Sequence, residues 1–249
     1  MLNKNHVIPS LALIVIIVLI IAGPIPQKDS YHHFADQRRI LGIGNFMNVI
    51  TNLPFAYIGL LGIFIAYKVP DKMLRQITYL LFIGFLLLTL GSGYYHLYPN
   101  NTTLVYDRIP MSIIFMSFFS FIIYERIDKT TGYLAFVALN FIGIGTIIYW
   151  ILSEQAGNGD LRWYAMVQFF PIVAIPIILW LYKSPFKHEK YIIPIFLFFG
   201  IAKFAESYDL KIYDLLGQTI SGHSLKHLFM GVSAFYIIRM MKARTLTMP

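Results

Sequence analysis

The chain has 249 residues, of which 57% are hydrophobic and only 13% charged, with a mean hydropathy of +0.65. That balance excludes a soluble globule, which would have to expose far too much apolar surface, and indicates an integral membrane protein. The formal charge of +8 comes from basic residues scattered through short connectors, which argues against a nucleic-acid surface, and the absence of cysteine removes disulfides and thiolate ligands together.

A membrane-spanning helix needs about 20 apolar residues. In chain order the first run of this kind covers residues 7–23, after Lys4. Its basic start and apolar centre resemble a signal peptide, but Gly23-Pro24-Ile25-Pro26 offers no clean small-x-small cleavage site, so residues 1–26 are expected to stay as a transmembrane helix. Residues 27–44, with Tyr31-His32-His33-Phe34-Ala35-Asp36-Gln37-Arg38-Arg39, read as an interfacial helix or lid. The second run, 46–67, opens with Asn45, Asn48 and Asn52, a polar stripe of the kind that joins membrane helices to one another. Further runs cover 75–96, 106–124, 132–152, 163–182, 190–206 and 222–240, and the expectation is an all-α protein of eight spans.

With eight spans, most lysines and arginines fall on one side, including Lys4, Lys68, Lys72, Arg75, Arg126, Lys129, Lys183, Lys190, Arg239 and Lys242. Cytoplasmic loops are enriched in Lys and Arg, so both termini are expected in the cytoplasm. The outer ends of the spans then carry an unusual polar set. His96 closes the third run, Asp107 opens the fourth, and His223 and His227 open the last. Glu154, Asp160, Arg162 and Gln168 lie on the same side, as do Lys203 and Glu206, which are one helical turn apart and expected to pair.

Imidazoles at i and i+4 share a helical face, so His223 and His227 can offer two ligands to one metal, with His96 as the third. A lone histidine at this depth is often just a polar group at the headgroup level. Three of them with an acid on one face point instead to a metal site, and three protein ligands with an open fourth position are the arrangement of catalytic zinc. Haem or copper is the alternative at the level of the metal; the lack of thiolates and the adjacent acid favour hydrolytic zinc. Ser92, four residues before His96, can donate to an oxyanion, orient a water or bond its own helix backbone. Asp107, before Arg108-Ile109-Pro110, can act as a helix N-cap, a general base or a partner that fixes a histidine tautomer.

Ser92-x3-His96, an aspartate eleven positions later at Asp107, and His223-x3-His227 in the last run resemble the alkaline ceramidase family, within the wider group of seven-helix membrane hydrolases that includes the adiponectin receptors. The string Asn45-Phe46-Met47-Asn48-Val49-Ile50-Thr51-Asn52 resembles that family's first core helix. The resemblance implies a seven-transmembrane-helix core over 45–249, with one extra N-terminal transmembrane helix. It implies zinc held by His96, His223 and His227, with Ser92 and Asp107 as catalytic residues, and hydrolysis of the amide bond of ceramide or a related N-acyl lipid drawn from the bilayer. Relatives that depend on calcium carry several acids before the first core helix, whereas this chain has mainly Asp36, so a tight calcium site is not expected. A receptor-like protein of the same fold, with a structural zinc and little turnover, is the rival reading. A transporter is disfavoured because the polar set sits at span ends and no repeat or broken helix is evident.

Overall fold

The computed structural model describes residues 4–183 and 189–245. The regular elements among those residues are all helices, with one isolated bridge between Ile40 and Ile43. The α-helices are α1 (Val7–Ala22), α2 (Phe46–Ile50), α3 (Leu53–Tyr67), α4 (Lys72–Leu97), α5 (Asn101–Arg126), α6 (Lys129–Gln155), α7 (Arg162–Leu181), α8 (Ile192–Ser207), α9 (Asp209–Leu215) and α10 (Gly222–Thr245). The chain forms two compact units, Met1–Lys28 with Met111–Pro185 and Asp29–Pro110 with Phe186–Pro249.

Among the described residues, six helices are long and apolar enough to cross a membrane: Lys4–Ala22, Phe46–Tyr67, α4, α5, α6 and α7. This differs from the eight runs read in the sequence. The other two runs are helical, but α8 has 16 residues, about 24 Å at 1.5 Å per residue, short of the hydrocarbon thickness of about 30 Å. The 24 residues of α10 are long enough, but its first turns are polar, with His223, Lys226 and His227, and its last turns carry Arg239, Lys242 and Arg244. The apolar window of α1 is unburied, as expected of a helix whose surroundings are hydrocarbon.

Helix boundaries follow local chemistry. Asp71 caps α4 by accepting from the Leu74 N–H at 3.1 Å, and Asp128 caps α6 through Thr131 at 2.6 Å. The fourth run starts earlier than its apolar pattern indicates. Asn100 accepts from the Thr103 N–H at 2.9 Å while the Thr103 hydroxyl accepts from the Asn100 N–H at 3.3 Å, a reciprocal cap that opens α5 at Asn101. Asp107 is therefore inside the helix, and its expected role as N-cap is overturned. Pro110 is also internal and has no N–H to give the Tyr106 carbonyl four residues back.

In the first unit α7 packs against α1 and α6. Its polar end is a clasp. Asp160 accepts from Arg162 at 2.8 Å, from the Tyr149 hydroxyl at 3.0 Å and from the Ile25 N–H at 3.4 Å, while Glu154 accepts from Gln27 N–H and Trp150 Nε1 at 3.1 and 2.9 Å. In the second unit α10 packs along α8 and against α3, and α3 packs along α4.

Burial pushes the Asp160 carboxyl up, but the hydrogen bonds from Arg162, Tyr149 and Ile25 outweigh it and hold it at about 2, against an ordinary 3.8. A folded-state value below the unfolded one contributes stability above the unfolded value, and that stability is lost as pH falls through the folded value. Asp160→Asn is therefore expected to lower stability by about 1–3 kcal/mol at pH 7, and by progressively less as pH falls from 4 toward 2, measured by thermal unfolding in detergent.

Candidate metal centre

His96, His223 and His227 come together in the second unit, all buried, with a ligand atom from each within 4.8 Å of the others. Their ring centroids form a near-equilateral triangle, 4.9 Å between His96 and His223 and 5.0 Å for each of the other pairs. His96 comes from the last turn of α4, and the other two from the first turns of α10. This group can hold a metal ion.

Each helix is fixed at the level of its histidine. At the start of α10, the Ser221 hydroxyl accepts from the Ser224 N–H at 3.2 Å, and Asp209 accepts from the His223 N–H at 2.7 Å, satisfying donors that a helix start leaves bare. Gly222 lies against the Ala205 carbonyl of α8, an approach that a side chain would block. On α4, Asn45 adopts φ 50°, in the left-handed region that asparagine tolerates, and donates its side-chain N–H to the His96 carbonyl at 2.8 Å.

The hydrogen bonds also fix the ring tautomers. The Thr51 hydroxyl gives its proton to the Met47 carbonyl at 2.6 Å, so its 2.9 Å contact with His227 Nδ1 must be a bond accepted from the ring N–H. That leaves the lone pair of His227 on Nε2. His223 Nε2 lies 3.0 Å from the Lys226 ammonium, which can only donate, so this lone pair is on Nε2 as well. The buried His96 Nδ1 has no hydrogen-bond partner among the described residues. Lone pairs on a converging imidazole pair, with an unsatisfied nitrogen on the third ring, are the donor set a borderline metal such as zinc takes.

Ser92 and Asp107 are buried in the same unit, near enough for the serine hydroxyl to act on the carboxylate. A close approach of α4 to α5 makes this possible. Gly91 lies against the Tyr106 carbonyl, the group that Pro110 leaves without its helical donor. Any Cβ at position 91 would collide with that carbonyl.

The segment before α2, expected as an interfacial helix or a lid, is a short 3-10 turn, Asp29–His32, followed by irregular chain. Phe34 is buried with its ring centroid 4.7 Å from both His96 and His223. The Ala35 N–H donates to Asp209 at 2.9 Å, so one carboxylate ties this segment to the start of α10. Burial pushes the Asp36 carboxyl up, but the bonds from the Arg38 side chain and backbone prevail and hold it below the usual range.

The asparagine stripe divides its work. Asn45 bonds to α4, and Asn48 accepts from Ser224 of α10 at 2.7 Å and donates to the Asp36 carbonyl at 3.3 Å, whereas Asn52 donates to the carbonyls of its own helix. The expected Lys203–Glu206 pair is present, and Lys226 joins it at 2.9 Å from Glu206. Glu154, Asp160 and Arg162 belong to the clasp of the first unit. Sequence reading assigns Thr51 and Phe34 no role of their own and places Asp209 only near Lys203 and Glu206, since the partners of all three lie far along the chain or on another helix.

These features define a multi-pass, all-helical membrane protein with a buried centre able to hold a metal ion. The profile of the Ceramidase family matches residues 41–248, and the chain belongs to that family. No curated protein and no solved structure matches it.

Two substitutions test this geometry. Gly91→Ala is expected to cost about 1–3 kcal/mol by overpacking, seen as earlier thermal unfolding. Thr51→Val removes the acceptor that orients His227 and should weaken metal affinity about 10–100-fold, measured by competition with a chelator.

Proposed function

We propose that the protein is a zinc-dependent intramembrane hydrolase that cleaves the amide bond of ceramide or a related N-acyl lipid. The observation that carries this reading is the buried triangle of His96, His223 and His227, with Ser92 and Asp107 buried in the same unit, in a chain of the Ceramidase family. His96, His223 and His227 are the metal ligands. When bound, zinc supplies Lewis acidity, polarising the amide carbonyl and making water a stronger nucleophile.

The protein's own groups do the rest. Asp107 takes a proton from the attacking water and passes it to the departing nitrogen, the two halves of general acid–base catalysis. Ser92, near that carboxylate, can steady it through its hydroxyl or turn the hydroxyl to an oxyanion, the other role expected of it. Phe34 covers two of the three imidazoles and keeps bulk water from them. The lipid enters sideways from the bilayer with its amide near the headgroup boundary. No calcium is assigned, because Asp36 gives both its oxygens to Arg38.

In the membrane we place α8 and α10 as the seventh and eighth spans, so that 45–249 forms a seven-helix core and 1–26 an added helix. Residues 27–44 cover the outer end, both termini are cytoplasmic, and the site faces the periplasm or lumen. The excess of Lys and Arg on one set of connectors supports this orientation.

Metal analysis of the purified protein, with fatty-acid release from ceramides and other N-acyl lipids, tests the assignment. The expected result is about one zinc per chain. His223→Ala should lose metal and turnover together, while Asp107→Asn should keep the metal and lose about 10²–10⁴-fold in kcat. Turnover by metal-free His223→Ala would overturn the mechanism. Zinc without turnover on any lipid would favour the receptor-like protein with a structural metal.

A further inference from the structure

The amide reaction assigned above generates negative charge twice. Water adds to the carbonyl carbon and places charge on the carbonyl oxygen; the C–N bond then breaks, the nitrogen leaves as an ammonium with both water protons, and the acyl half leaves as a carboxylate. An apolar, buried site stabilises such charge only with a donor already in place. Ser92 is the weaker candidate, since it offers one neutral hydroxyl beside a carboxylate that competes for its proton.

A charged donor at the centre is Lys226. It lies one helical turn beyond His223 on α10, and its ammonium is 3.0 Å from His223 Nε2. Its side chain is 14% exposed. Glu206 accepts from it at 2.9 Å and also from Lys203, so two ammonium groups share one carboxylate. The cluster thus carries one positive charge more than negative. The lone pair that accepts from Lys226 on His223 is the one a metal would take, and once it is taken the ammonium proton must turn to another acceptor.

We propose that Lys226 is the anion-binding group of the site, held in place by Glu206, and that it receives first the oxygen anion of the opening amide and then the carboxylate of the released fatty acid. The inference rests on the hydrolase reading for the first of these ligands and on geometry alone for the second. Lys203 supports it as a positioning residue by sharing Glu206.

The test compares wild type, Lys226→Met and Lys226→Arg, each with its metal, for binding of dodecanoate labelled with ¹³C at the carboxyl and of the neutral dodecanamide, followed by NMR in detergent. Wild type should prefer the carboxylate. Lys226→Met should lose about tenfold or more in carboxylate affinity, keep its affinity for the amide, and lose about 10²–10³-fold in kcat with little change in KM. Lys226→Arg should restore most of the carboxylate binding. Unchanged dodecanoate affinity in Lys226→Met would overturn the proposal, as would loss of metal from that variant, which would give the lysine to holding His223 instead. Lysine-dependent carboxylate binding in a wild type that hydrolyses no N-acyl lipid would reject the hydrolase reading and leave the anion site standing.

Discussion

Three imidazoles meet at one point inside the second unit, and the polar contacts of Asn45, Thr51, Asp209 and Ser221 hold the chain around that meeting. A buried nitrogen without a partner is costly, and hydrocarbon offers no water to relieve it. Each ring must therefore be fixed by a partner on the side away from the centre, or present its lone pair to something within it. Thr51 fixes the His227 ring through Nδ1, His223 presents its lone pair to Lys226, and His96 Nδ1 has no partner among the described residues. Once the rings are so constrained, the ends of α2 and α4 and the start of α10 have little freedom left.

Interruptions of helical regularity supply many of these partners. The turn at Thr51 and Asn52, before Pro54, separates α2 from α3 and lets the threonine hydroxyl bond its own helix and reach across to α10. Pro110 frees the Tyr106 carbonyl, and Gly91 fits against it, bringing Ser92 to Asp107. In both places a proline removes a backbone donor, and the local departure from regular bonding is used where polar side chains have to meet.

The covering segment shows how little regular structure such a site needs. Between the turn at Asp29–His32 and α2 the chain is irregular, yet Phe34, Ala35 and Asp36 are anchored by ring packing, by Asp209 and by Arg38 in turn. Asp209 is central here because its two oxygens serve two elements, the segment through Ala35 and α10 through His223. A carboxylate at a helix start satisfies otherwise bare N–H groups, and its second oxygen was available for the cover.

The sequence by itself determined that the chain is helical, that it belongs in a membrane, and which residues form the centre. Those properties depend on composition, on the length of apolar runs and on the i, i+4 spacing of His223 and His227, all of which are local. The Lys203–Glu206 pair was legible for the same reason. Tertiary structure decided where α5 begins, because the Asn100–Thr103 cap lies outside the apolar pattern, and it moved Asp107 from a helix cap to the interior beside Ser92. It also decided that Thr51 orients His227, that Asp209 ties the cover to α10, and that Lys226 reaches both Glu206 and His223. Threonine, aspartate and lysine have no periodic signature, and a hydrogen bond between positions as far apart as 51 and 227 depends on how the helices pack, which no local pattern encodes.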